Sequence, residues 1–120
     1  MLIDSNVIIY ASQPEYSKLR SFLGKQKLDA SVISKIETLG YNRLTSTQKT
    51  LLENFFDSIV LVELEEEIVD KAIQLRQTKN IALADAIIAA TAVIYKIPLA
   101  TKNTQDFKGI QSLRLIDPLK

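Results

Sequence analysis

Short apolar runs alternate with segments of helical spacing along the whole chain. Met1-Leu2-Ile3 opens as a strand that ends on Asp4, and Val7-Ile8-Ile9-Tyr10 then begins a helix. Pro14 marks a turn, and Glu15 to Leu23 places Tyr16, Leu19, Phe22 and Leu23 on one side of a second helix that Gly24 ends. Ala30-Ser31-Val32-Ile33 reads as the next strand, followed by a helix from Ser34 to about Leu44 that contains Gly40 and Tyr41. After the polar break Thr45-Ser46-Thr47-Gln48, the residues Leu51, Leu52, Phe55 and Phe56 recur at helical spacing. That spacing suits a core or partner face better than a base-stacking platform. Ile59-Val60-Leu61-Val62 predicts a buried strand, and Ile68, Val69, Ala72, Ile73 and Leu75 predict a helix after it. Glu63, Glu65, Glu66 and Glu67 crowd the start of that helix, where negative charge complements the helix dipole and stays solvated.

The stretch from Ile81 to Phe107 organises the rest. Between Ile81 and Tyr95 it reads as a helix apolar on nearly every face, which belongs inside a domain. Its one charge, Asp85, needs a partner, because burying a lone carboxylate costs several kcal/mol. Pro98-Leu99-Ala100-Thr101 follows as a short strand, then a polar loop from Lys102 to Asp106. Leu113 to Ile116 supplies a last edge strand, and Asp117-Pro118 closes the chain. Strands alternating with helices in this way predict one α/β domain over residues 1–120. Its core is a central parallel sheet of about five strands with helices on both faces.

Composition narrows the chemistry more than the fold. A chain of 120 residues holds one domain with a modest core, and 47% hydrophobic content with 24% charge is ordinary for a soluble protein. The longest apolar run is too short to span a membrane and no signal-like segment opens the chain, so a cytoplasmic location with no membrane partner is expected. There is no cysteine and no histidine. Thiolate nucleophiles, disulfides and thiolate zinc sites are excluded, and so is the imidazole that usually moves protons near neutral pH. Hydrolysis by such a chain must run on carboxylates, hydroxyls, lysines or a metal-coordinated water.

Right-handed crossovers bring the C-terminal ends of parallel strands to one edge, where ligands of open α/β sheets gather. Asp4, Glu37, Asp85 and the Asn103/Asp106 loop all map to that edge. Each has a blander reading. Asp4, Ser5 or Asn6 suits a helix N-cap, and Ser34-x-x-Glu37 is a capping box. Against this, two carboxylates ~5 Å apart repel by ~3 kcal/mol at an effective dielectric near 20. Several of them persist together only with a cation or with raised pKa values. Oxygen ligands favour magnesium or manganese over zinc. With four of the 14 acidic residues gathered in one pocket, ten remain against 15 basic ones, a balance that suits a polyanionic substrate.

These residues carry a resemblance. The opening LIDSNVIIY, Glu37 after the second strand, LADAIIAATA and LATKNTQDF together resemble a PIN-domain nuclease, most closely the VapC-type toxins of toxin–antitoxin pairs, over nearly the whole chain. The resemblance implies a magnesium- or manganese-dependent endoribonuclease, usually a homodimer, held inactive by a cognate VapB-type antitoxin. It matches Asp4, Glu37 and Asp85 to the acids of the family's metal site and offers Asn103, Asp106 or both for the fourth place. With Asp106 there, Asp4, Asp85 and Asp106 contact the metal and Glu37 orients the attacking water. Ser5, Asn6, Thr101 and Asn103 match supporting positions, and the neutral amide of Asn103 leaves open whether one or two metal ions bind. A stand-alone RNA-processing or DNA-acting nuclease and a catalytically silent binding module of the same fold are the alternatives. Phosphoacceptor folds fit poorly. Asn6 stands where a haloacid-dehalogenase-like enzyme needs its second Asp, and the third strand runs into Glu63 and Leu64 rather than ending on the Asp of a receiver domain.

Overall fold

Every strand pairing in this protein is parallel. The computed structural model describes residues 1–119; Lys120, the last residue of the expected domain, lies outside them. The five strands are β1 (Leu2–Ile3), β2 (Asp29–Ser31), β3 (Val60–Val62), β4 (Leu99–Ala100) and β5 (Leu115–Ile116). They lie in the order β3-β2-β1-β4-β5, so the opening strand is the central one, as the sequence predicts. Six α-helices connect them: α1 (Ser5–Ala11), α2 (Ser17–Leu23), α3 (Val32–Leu39), α4 (Ser46–Asp57), α5 (Glu66–Thr78) and α6 (Leu83–Tyr95). Two 3₁₀ turns, Pro14–Tyr16 and Thr104–Phe107, complete the chain.

Strand side chains alternate between faces, and here the two faces have separate cores. Leu2 and Leu99 point toward Ile68 and Leu75 of α5 and toward Ile88 and Ala89 of α6. Ile3, Ala30 and Ala100 point the other way, toward Val7 and Ile8 of α1, Leu19 of α2, and Leu52 and Phe56 of α4. Helices therefore cover both faces, which is why strands of two or three residues survive as a sheet. The α6 helix is buried continuously from Ala86 to Ala92; Ala84, Asp85, Val93 and Ile94 are half-buried, and its ends, Leu83 and Tyr95, are exposed. Among the described residues no helix is long and apolar enough to cross a membrane.

Several boundaries differ from those the sequence predicts. The second strand ends at Ser31, and Val32 and Ile33 belong to α3. Its N-cap is Ser31, whose hydroxyl accepts from the Ile33 amide, so Ser34 lies inside the helix and the Ser34-x-x-Glu37 capping box does not form. A capping box closes α4 instead, where Thr45 and Gln48 each accept the other's backbone N–H at 3.1 Å. The α3 helix stops at Leu39 rather than Leu44. Gly40 caps it so tightly that a Cβ there would stand 2.4 Å from the Ile36 carbonyl oxygen. The segment before α2 is a 3₁₀ turn up to Tyr16, and α6 begins at Leu83, two residues late. The strand predicted over 59–62 begins at Val60 and is an edge, with Val60 54% exposed, so it is not wholly buried. The last two strands are each shorter than predicted.

Candidate active site

Register decides what meets at the carboxyl edge. Leu2 pairs with Leu99 and Ile3 with Ala100, so the next residues of the two strands, Asp4 and Thr101, stand side by side. The Asp4 amide donates to the Ala100 carbonyl at 2.9 Å, and from there the chain turns into α1. Asp4 is its N-cap: Oδ1 accepts from the Ser5 amide at 2.8 Å, while Oδ2 accepts from Thr101 Oγ1 at 2.6 Å. The capping reading of Asp4 holds, and it leaves room for a further ligand, since capping uses only part of the lone-pair capacity of a carboxylate. Burial pushes the Asp4 carboxyl above the usual range. The bonds from Thr101 and Ser5 hold it down in part, and the charges of Glu37 and Asp106 add to the rise.

Glu37 enters from α3, in its second turn rather than the first. Ser5 Oγ lies 2.6 Å from Glu37 Oε1 and 3.0 Å from Ser34 Oγ. A serine hydroxyl carries one hydrogen, and the bond to a charged carboxylate is the stronger, so Ser5 donates to Glu37 and Ser34 donates to Ser5. This relay fixes one oxygen of a solvent-exposed carboxylate and leaves the other, Oε2, without a hydrogen-bond donor among the described residues.

Asp85 sits in the first turn of α6, where Ala82 is an N-cap without a side-chain bond. Among the described residues no lysine or arginine forms an ion pair with it. Its pKa is raised to about 6, first by desolvation and then by the charges of Asp4, Asp106 and Glu37. Asp106 is carried by the 3₁₀ turn Thr104–Phe107, which the buried Phe107 anchors in the core. Thr101 is fully buried, and its Oγ1 also accepts from the Asn103 amide at 3.0 Å, so one hydroxyl ties Asp4 to the loop. Asn103 itself is exposed. Asn6 carries the one buried side-chain polar atom without a partner among the described residues, Oδ1.

The charges of Glu37 and Asp106 therefore reach Asp4, and those of Asp4, Asp106 and Glu37 reach Asp85, raising the proton affinity of both aspartates. The four acids do not close on a point: among the described residues no three His, Cys, Asp or Glu side chains form a group that could hold a metal ion as placed. The two observations concern different distances, because charge is felt well beyond ligation range. The donor set fits a hard divalent cation chemically: it is all oxygen, its carboxylates repel, and Asn6 Oδ1 has no protein donor. Asp4 is fixed by two bonds, so any closing of the set falls to the other acids. Ser34 is the residue of this site that its sequence pattern concealed, because Ser-x-x-Glu looks the same whether the serine caps a helix or braces a neighbour.

A sheet with acids from β1, α3, α6 and the loop after β4 is the arrangement of a PIN domain. Residues 1–112 match the family model described as PIN domain, and the chain belongs to that family. Ribonuclease VapC of Rickettsia bellii (strain RML369-C) is 29% identical over 134 residues, which take in all of this chain and 98% of that protein. A toxin–antitoxin complex from Klebsiella pneumoniae contains a chain 27% identical with a TM-score of 0.78, covering 98% of this chain and 96% of that one. The DNA-bound VapBC of Salmonella typhimurium has a TM-score of 0.86 at 17% identity, over 98% of this chain and 96% of that one, a likeness of fold. The VapC-like character expected from the four sequence segments is the one these relatives share.

Proposed function

We propose that this protein is a metal-dependent endoribonuclease, the toxin of a toxin–antitoxin pair, that hydrolyses RNA phosphodiester bonds at the carboxyl edge of its sheet. The observation that carries the reading is that the charges of Asp4, Asp106 and Glu37, acids from three other elements, all act on Asp85 and raise its pKa. Asp4, Asp85 and Asp106 would hold magnesium or manganese. Such an ion lowers the pKa of a coordinated water and polarises a phosphate. Glu37, with Oε1 fixed by Ser5, orients the attacking water through its other oxygen and takes its proton. Thr101 keeps Asp4 facing the pocket, and Ser5 keeps Glu37 there.

With no histidine in the chain, a 2′-hydroxyl lacks its usual base, so attack by water on phosphorus is favoured. Cleavage of an RNA substrate should require magnesium or manganese, stop in EDTA, and leave 5′-phosphate and 3′-hydroxyl ends. Products bearing 2′,3′-cyclic phosphate would sink this chemistry.

A toxin–antitoxin complex among the structural relatives favours an antitoxin partner, and the VapC resemblance adds a homodimer of the toxin, acting in the cytoplasm. A cavity of about 260 Å³ between α1, α2 and α4, lined chiefly by apolar side chains such as Ile8, Leu23, Leu52 and Phe55, suits an apolar segment of that partner.

A further inference from the structure

We propose that Lys102, Tyr10 and Tyr16 form a docking subsite for single-stranded RNA beside the acid pocket, the lysine gripping a phosphate next to the scissile one and the tyrosine pair stacking a base. This rests on the ribonuclease reading above and adds to it where the substrate strand runs. An acid pocket repels a polyanion, so a strand that enters it needs cationic and stacking contacts just outside.

Lys102 is placed for this. It follows Thr101, whose hydroxyl bonds Asp4, so its backbone borders the pocket while its side chain reaches away from it. Its Nζ donates to Tyr10 Oη at 2.9 Å and stands 4.4 Å from the centroid of the Tyr10 ring. It is exposed, and among the described residues it forms no ion pair with an acid. Tyr10 lies four residues after Asn6, so the two share a face of α1, the helix that Asp4 caps. The Tyr16 ring stands 5.1 Å from it at 50°. Both rings pack in part on the core and remain half-exposed, which fixes their planes while leaving surface for a base. An ammonium held beside two rigid aromatic rings and one residue from the pocket has the chemistry of single-strand recognition, where phosphate contact and stacking combine.

A bland alternative makes the same group a clip that ties the loop after β4 to α1. The two differ in salt dependence. The measurement is fluorescence anisotropy of an unstructured, end-labelled oligoribonucleotide in EDTA at several potassium chloride concentrations, with all proteins in the Asp85→Asn background. Lys102→Gln should lower the slope of log affinity against log salt by about 0.7, the share of one phosphate contact on a single strand, and Lys102→Arg should restore it. Tyr16→Leu should weaken binding at least about fivefold at every salt concentration without changing the slope, and Tyr16→Phe should bind like the parent. An unchanged slope for Lys102→Gln overturns the subsite, as does undiminished binding by a folded Tyr16→Leu. Should Tyr16→Leu fail to fold, the two lysine variants decide alone. If the wild type still cleaves RNA while those slopes agree, only the subsite falls. If the wild type neither binds nor cleaves RNA, the ribonuclease reading falls with it.

Discussion

Replacing Asp85 by asparagine should stabilise the metal-free protein at neutral pH. The pKa of Asp85 rises from its ordinary 3.8 to about 6 on folding, so the folded state binds its proton more tightly than the unfolded state does. The stabilisation linked to that proton is fully present below about pH 4 and is lost as the pH climbs through 6. The rise from 3.8 to about 6 corresponds to ~3 kcal/mol at full weight. Asp85 is partly exposed, and solvent screening reduces this to ~1–2 kcal/mol. Asparagine escapes that loss but gives up a first-turn charge that complements the dipole of α6, ~0.3–1 kcal/mol. The variant should therefore melt a few degrees above wild type at pH 7.5 in EDTA, and the difference should vanish or reverse at pH 5, where the wild-type carboxyl is largely protonated. Added magnesium at a hundredfold excess over its dissociation constant should raise wild-type stability by ~2.7 kcal/mol and the variant by less. Four thermal melts at each pH, wild type and Asp85→Asn with EDTA and with magnesium, decide the matter. A variant that melts at or below wild type at pH 7.5 in EDTA would refute the repulsion argument, and equal gains from magnesium would remove Asp85 from the metal.

Thr101→Val keeps the shape of a buried side chain but withdraws the hydroxyl that donates to Asp4 Oδ2. It should cost ~1.5–3 kcal/mol at neutral pH, seen as a lower urea midpoint, and less at a pH where Asp4 is protonated. Co-expression with the product of an adjacent small antitoxin-like reading frame should give a stable complex without nuclease activity. Indifference to that neighbour would favour a stand-alone processing enzyme. Wild-type metal-free protein should also lose stability between pH 5 and 7.5, as Asp85 ionises, and a flat pH profile would contradict its raised pKa.

The sheet and the family were legible because they rest on patterns that tertiary contacts reinforce. Leu2-Ile3 and Leu99-Ala100 are apolar on both faces, as central parallel strands must be, and α6 is apolar all round because both its flanks are covered. What was hidden lay at element ends. Val32 and Ile33 look like strand residues by β-branching, yet the Ser31 hydroxyl caps them into a helix. That two-residue shift moved Ser34 from a cap to the relay behind Glu37. The cost of placing Asp85 there was legible in the sequence, and it shows in the structure as a pKa raised first by desolvation and then by the neighbouring acids. The meeting of Asp4 with Thr101 depends on strand register, which nothing local to either residue specifies.

The most direct measurement of the central claim is the initial rate of RNA cleavage in magnesium by wild type, Asp4→Asn and Asp85→Asn, each shown to be folded by its melting curve. If these carboxylates form the catalytic edge, both variants should lose at least about a hundredfold in rate while remaining folded. A folded Asp85→Asn protein that cuts RNA as fast as wild type would contradict the account.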